Sequence, residues 1–433
     1  MKTSVFRSVI GAIALTALAV SGAHAQQKDS IKIGFVTFLS GPAAGPFGVP
    51  AKMAAEAIVE SLNAGKVPAP YQQKGYGGSP LELVIIDEAG GATKQVSEFR
   101  TLVQRQDVDL VIGYIGSGDC LAIAPVAEEL KKLTVLFDCG TPRIFEEASY
   151  KYVFRTRAHA TMDAVAAARY LFDNRPAAKR FSGINQNYAW GQDSWNDFEN
   201  TIKTMKPEVQ IGTSQMPKFG AGQYGAEISA LINSNSDVIH SSLLGGDLEA
   251  FMLQATPRDL FKKSQLILVA GEPNLHRMVG NVPDGTIVGA RGPHGLFAQP
   301  SALNTWLKDI YKAKAGIIPN YPAYSVAQAV LGVKAAYEKA QQKKGGGAPS
   351  QDEIIAALEG ITFDSPSGKV SMALGKGHQA VQGTAYGTTR TENGVVKVGN
   401  IKYYPAEQVQ PPKACRRWTG SSPASRKPSN VPA

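Results

Sequence analysis

A hydroxyl, a carboxylate and a thiol fall within four residues in Gly116-Ser117-Gly118-Asp119-Cys120, where the apolar run that begins at Val111 gives way to an Ala/Leu/Glu-rich segment. Three chemistries suit such a turn: cradling a phosphate, attacking an acyl group, or gripping a small molecule and releasing it. A phosphate loop needs G-x-x-x-x-G-K-[ST], which the chain lacks, and Leu121 stands where a dinucleotide fingerprint needs its third glycine. Ser117 has Ile115 and Asp119 where a nucleophile elbow needs glycines. His159, His240, His276, His294 and His378 show no metal-ligand spacing, and there is no C-x-x-C. What remains is a helix N-terminus after a buried strand. Its unpaired N–H groups and its dipole favour an anion, and its glycines admit close approach. That arrangement suits a carboxylate held without reaction; the alternative is an ordinary capped turn.

Other predicted strand exits repeat the theme. Phe47 lies in a Gly/Pro loop, "FLSGPAAGPFG"; Cys139, Gly140 and Thr141 follow another run; Tyr188 and Trp190 sit in "INQNYAWGQD". Leu244 and Gly245 precede a helix in which Asp247 reads as an N-cap, and Glu272 ends "VAGE". In open α/β sheets ligands bind beyond the carboxyl ends of the strands, where all these loops belong.

The elements that carry them alternate. Runs beginning at Ile31, Leu81, Val108, Leu133, Arg180, Val209, Ser236, Gln265 and Thr286 read as strands, several of them near-continuously apolar, as expected for strands buried on both faces. Helical stretches are predicted at 50–64, 93–106, 121–132, 161–175, 192–205, 224–233, 248–255, 302–315 and 324–341. The alternation runs twice, so the expected fold class is α/β, with two doubly wound lobes. From residue 363 the Gly-rich text reads as short antiparallel strands. The expected division is 28–155 with 290–362 for the first lobe, and 156–289 with 363–412 for the second.

A length of 433 residues calls for two domains, and 43% apolar residues suit a globular chain. Lys2 and Arg7, the apolar run 9–20 and Ala23-His24-Ala25 make residues 1–25 an expected signal peptide cleaved before Gln26. The run is shorter than the about 20 residues a membrane span needs, so export to the periplasm is expected. The formal charge of +9 resides mostly at the ends: Lys2 and Arg7 at one, and Lys413, Arg416, Arg417, Arg426 and Lys427 in a tail, 413–433, composed like a disordered segment. The body keeps about +2, which argues against nucleic acid as a partner. Cys120 and Cys139 each follow a predicted strand, and the two strands are consecutive. If those strands are parallel neighbours the thiols meet, and a bridge is expected, with two buried free thiols as the alternative.

The strings "IKIGFVTFLSGPAAGPFG", "VIGYIGSGDCLAIAPVAEE", "NYAWGQD", "GGDLEAFMLQA" and "YPAYSVAQAVLGVKAA", in this order, resemble the periplasmic substrate-binding proteins of branched-chain amino-acid ABC transporters. The resemblance covers roughly residues 31–412. It implies a type I periplasmic binding fold with a three-strand hinge and a ligand cleft between the lobes. Ser117, Gly118, Asp119 and Cys120, with Cys139, Gly140 and Thr141, would hold an α-carboxylate; Glu272 would take the ammonium. Phe47, Tyr188, Trp190, Leu244, Gly245 and Tyr321 would line or cover the ligand. Such a protein is a non-enzymatic monomer without cofactor that delivers an amino acid or related carboxylate to an ABC transporter membrane permease. Three departures leave the ligand open. Gly118-Asp119-Cys120 replaces a hydroxyl-rich string, Trp190 replaces a tyrosine, and the part after Ser365 is longer. Amides, urea or aromatic acids, a sensing role, and a secreted hydrolase using Ser117 or Cys120 are the alternatives.

Overall fold

The apolar runs become the strands of two sheets in the structure, a computed structural model that describes residues 27–410. The first series is β1 (Ile31–Thr37), β2 (Leu81–Asp87), β3 (Leu110–Gly113), β4 (Thr134–Leu136) and β5 (Val153–Arg155). The second is β6 (Arg180–Ile184), β7 (Gln210–Gln215), β8 (Val238–Ser241), β9 (Gln265–Leu268) and β10 (Ile287–Gly289). Each series forms parallel ladders, with Ile33 opposite Leu110 in one and Phe181 opposite Val238 in the other. Inner strands such as β3 and β8 are buried at every residue, which is why their sequences are apolar without alternation.

Helices make the crossovers. They are α1 (Val49–Asn63), α2 (Gly91–Gln104), α3 (Ser117–Glu129), α4 (Arg143–Glu146), α5 (Ala160–Asn174), α6 (Ala189–Met205), α7 (Gly225–Asn233) and α8 (Gly245–Ala255). Then α9 (Ala302–Ala315), α10 (Tyr321–Lys344) and α11 (Gln351–Leu358) follow in succession. The chain supplies their ends locally: Gly345 closes α10 in a left-handed conformation, and Ser350 with Glu353 forms a capping box that starts α11.

After α11 come β11 (Thr362–Ser365), β12 (Gly368–Leu374), β13 (Gln379–Val381), β14 (Thr384–Glu392), β15 (Val395–Tyr404) and the short α12 (Ala406–Val409). The first sheet has the order β11-β12-β13-β5-β4-β3-β1-β2, and the second β15-β14-β10-β9-β8-β6-β7. The chain therefore passes between the sheets three times: after β5, after β10 and after β13.

Three expectations change. The antiparallel tail is two sets, not one: β12 pairs with β11 and β13, and Gln379 lies opposite Arg155, so residues 363–381 complete the first lobe. The chain returns to the second sheet only at β14, which pairs with β10. Strand β5 was not predicted. Helix α3 begins at Ser117 rather than Leu121, and α8 at Gly245 rather than Leu248, so both Gly-rich turns are first turns of helices. The expected signal segment, the basic tail and Cys415 lie outside the described residues.

Candidate functional site

The turn after β3 does hold an acid, and the acid is the chain's own. Glu88, the residue after β2, accepts hydrogen bonds from the Ile115 N–H at 2.9 Å and the Gly116 N–H at 2.6 Å. Tyr114, just before them, has φ 89°, a left-handed conformation unusual for a bulky residue. Asp119 crowds the same turn. A Cβ on Gly116 would stand 2.4 Å from Asp119 Oδ2 and 3.1 Å from Glu88 Oε1. Burial pushes the Asp119 carboxyl up to about 6. Burial first, and Asp119 second, push Glu88 well above the usual carboxylate range. Ser117 braces the neighbouring loop instead. Its Oγ accepts from the N–H groups of Gly140 and Thr141, each at 3.2 Å.

Cys120 and Cys139 form a disulfide within the core on one face of the first sheet. It staples the first turn of α3 to the exit of β4. Their backbone N–H groups bond to Gly116 and Tyr114 carbonyls, so the two cysteines position their neighbours and keep no polar group for a ligand.

The strand-end loops of the two lobes meet face to face. Trp190, in the first turn of α6, is 2% exposed, and its Nε1 donates to the Ser242 carbonyl of its own lobe at 2.8 Å. Its ring packs on Gly140 of the other lobe so closely that a Cβ there would lie 2.4 Å from Cζ3. Beside this contact Thr141 Oγ1 donates to Asp193 Oδ2 of α6 at 2.6 Å, and Arg143 holds the same carboxylate through Nε at 2.9 Å and Nη2 at 2.8 Å. On the far side the Gly246 N–H, at the start of α8, donates to the Pro42 carbonyl at 2.9 Å. Gly245 has φ 61°, and a side chain on it would strike that carbonyl.

Glu272 is not an open handhold. Its carboxylate, 5% exposed, accepts the Tyr321 N–H at the start of α10 at 3.0 Å and the Leu296 N–H at 3.2 Å. It is thus a clasp from the second lobe onto a helix N-terminus of the first, where the dipole favours negative charge. Burial pushes its carboxyl up to about 7, against the two backbone bonds.

The crossing segments carry a buried charge cluster. Asp138 Oδ1 accepts from Arg157 Nη1 at 2.5 Å and from Arg291 Nη1 at 2.9 Å; Asp163 Oδ2 lies 3.4 Å from Arg291 Nε. Arg155 donates to Gln379 and to the Cys139 and Thr141 carbonyls. Arg291 has φ 51° and stacks its guanidinium 4.2 Å from the Trp190 ring. Its Nη2 is buried without a hydrogen-bond partner, as are Asp138 Oδ2 and Asp163 Oδ1. Burial works against its charge, but Asp138, Tyr321 and Asp163 more than offset that and hold its pKa above the usual arginine range.

Of the other residues singled out, Phe47 stands edge-on to Tyr321 at 5.6 Å, and the Tyr321 ring lies 6.0 Å from Arg291. Tyr188, preceding α6, packs edge-on against Phe219 at 5.7 Å. Leu244 is the buried residue before α8. Gly118 faces open space, since a Cβ there would meet nothing within 4 Å. Asp247 is not an N-cap: it accepts from Gln186, Gly220 and Tyr224 at 2.7, 2.8 and 2.7 Å. The sequence reading missed Glu88, Asp138 and Arg291. Each is a buried charged residue just beyond the end of a strand, where water is scarce and a partner is needed. Among the described residues no helix is long and apolar enough to cross a membrane, and no three His, Cys, Asp or Glu side chains are grouped to hold a metal.

The family model of the periplasmic binding proteins matches residues 30–393. Leu/Ile/Val-binding protein homolog 4 of Brucella melitensis biotype 1 is 25% identical over 375 residues, covering 83% of this chain and 84% of the relative. Homolog 6 of Brucella abortus strain 2308 is 23% identical, covering 83% and 88%. Among solved structures, a solute binding protein of an ABC transporter from Rhodopseudomonas palustris BisB5, in complex with 3,4-dihydroxy benzoic acid, superposes with TM-score 0.71 at 20% identity, covering 88% of this chain and 98% of that one. A solute binding protein from R. palustris in complex with 4-hydroxybenzoate gives TM-score 0.74 at 20% identity, covering 87% and 98%. A leucine binding protein from Thermotoga maritima MSB8 gives 0.71 at 20% identity, covering 86% and 98%. At these identities the likeness to solved structures is one of fold.

Proposed function

The chain belongs to the periplasmic binding protein family, and from that premise we propose that it captures a small amino acid or related carboxylate between its lobes and hands it to an ABC permease. Export through the N-terminal segment, action as a monomer and the absence of catalysis belong to the same reading. The observation that carries it is the meeting of strand-end loops across the lobes, Gly140 against Trp190 and Thr141 against Asp193. Contacts of this kind exist in a closed form and are lost when lobes hinge apart, so a solute that adds to them shifts the balance toward closure. Ser117, Gly140, Thr141, Trp190, Tyr188, Phe47 and Tyr321 are the proposed lining. A hydrolase reading finds little support, since Cys120 is spent in the disulfide and Ser117 Oγ faces two backbone N–H groups. An aromatic acid is the second reading, favoured by Glu272 being engaged with backbone rather than open to an ammonium. A thermal-shift screen of amino acids, amides and aromatic acids tests the function. A saturating ligand raises the melting temperature by mass action, and a screen in which none of them does would end the reading.

A further inference from the structure

We propose that the cleft selects its solute by polarity. The solute's carboxylate sits on Arg291 Nη2, and a hydrogen-bond donor at its other end, hydroxyl or ammonium, sits on Asp119. This rests on the solute-receptor reading and reverses the orientation that the family resemblance implies, with carboxylate at the turn after β3 and ammonium at Glu272.

The positive end is built and unused. Arg291 is 3% exposed; Asp138 fixes its Nη1 and Asp163 faces its Nε, while Trp190 covers one face. Nη2 has no hydrogen-bond partner and is directed at Gly140, where a Cβ would lie 2.4 Å from it. The Tyr321 hydroxyl lies beside the guanidinium and helps to raise its pKa. A carboxylate entering between the lobes here gains a charge-assisted bond to a group already desolvated.

The negative end excludes an anion. The donors of the turn after β3 are taken by Glu88, and Asp119 stands against the same turn with no hydrogen bond of its own among the described residues. A solute carboxylate placed there would find the turn's N–H donors taken and would face Asp119 in a medium that screens poorly. A donor meets an acceptor with no other partner. The two ends are linked by contact: Ser117, two residues before Asp119, binds the Gly140 N–H, and Gly140 abuts Arg291. Tyr188 senses both. Burial raises its pKa most, Arg291 draws it down, and Asp119 and Glu88 push it up. Glu272, the ammonium site implied by resemblance, is engaged with Leu296 and Tyr321.

Calorimetric titration of the purified protein with two short series tests this. The first is 4-hydroxybenzoate, benzoate and 4-hydroxybenzamide; the second is L-leucine, 4-methylpentanoate and L-leucinamide. Whichever parent binds identifies the scaffold. In that series the analogue without the carboxylate and the analogue without the donor should each bind about tenfold or more weakly. Asp119→Asn should shrink the preference for the donor-bearing parent, and Arg291→Lys should recover part of the affinity that Arg291→Gln loses. An amide that binds as tightly as its acid overturns the proposal without touching the receptor reading, and needs no variant to fold. So does an ammonium preference that survives Asp119→Asn and vanishes in Glu272→Gln. No binding by any carboxylate, amine or amide would overturn the receptor reading itself, and this proposal with it.

Discussion

The ring of Trp190 and the backbone of Gly140 are in contact across the two lobes, with no room for a methyl group between them. Gly140 is not needed for an unusual backbone conformation, so its small size serves the approach of the other lobe. Gly140→Ala should leave each lobe folded and oppose their closure at a cost of about 1–3 kcal/mol, the range of an overpacked contact. Calorimetry should show ligand affinity down by about fivefold to a hundredfold, with circular dichroism unchanged. Undiminished affinity would mean that the lobes do not meet here when ligand is bound.

Trp190→Ala removes the other partner. It should weaken ligand binding at least about tenfold, about 1.4 kcal/mol. The ring also stacks on Arg291 and bonds to Ser242, so some loss of stability is expected as well. Fluorescence-detected titration of the folded variant separates the two effects, and equal affinity for wild type and variant would take Trp190 out of the site.

The clasp of Thr141 and Arg143 on Asp193 joins the lobes without touching Arg291. Hydrogen bonds to a charged acceptor contribute about 1.5–3 kcal/mol, and the pair is partly exposed, so the lower end applies. Asp193→Ala should speed ligand release and lower affinity about tenfold while the ligand preference stays the same. Stopped-flow dissociation reads this, and an altered preference with an unchanged off-rate would assign Asp193 to ligand contact instead.

Reduction reports on the site from below. The disulfide closes a loop with a sequence separation of 19 and fixes Ser117 against Gly140. Loops of this size are worth about 3 kcal/mol to the folded state. The double variant Cys120→Ala, Cys139→Ala should melt markedly lower, and an unchanged denaturant midpoint would contradict the bridge.

Glu272 gives a pH signature of known sign. Its folded-state pKa, about 7, lies above the ordinary glutamate value of 4.5, so the folded protein binds this proton more tightly than the unfolded chain. Its contribution to stability is greatest in acid, falls as the pH rises through the window up to about 7, and is level above. His159 and His240, held down to about 3 by burial, act in the opposite direction below the usual histidine range. The effect is therefore read as a difference. The stability of wild type relative to Glu272→Gln should decrease as pH rises from about 5 to about 7. A difference that does not vary with pH would show that Glu272 titrates normally.

The fold was legible where burial is two-sided. Runs such as those of β3 and β9 admit few polar residues, so strand and helix alternation could be read directly from the sequence. Strand β5 escaped because its three residues end in Arg155, whose buried guanidinium finds a hydrogen-bond acceptor far along the chain, in Gln379. The return of the chain was placed too early, since nothing local distinguishes β12 and β13 from β14 until their pairing is known. The site was legible in place more than in chemistry. Ser117, Gly140, Thr141 and Trp190 do converge, but the helix start expected to hold a ligand's carboxylate holds Glu88. That partner is separated by 28 positions from Gly116, and local patterns carry no sign of it.

Small-angle X-ray scattering on the purified protein, with and without the tightest-binding carboxylate from the thermal screen, tests the central claim most directly. A clamp of two lobes predicts a smaller radius of gyration with ligand, and recovery of the compound unchanged from the same sample. A bound compound that leaves the radius of gyration unaltered, or that returns as a product, would contradict it.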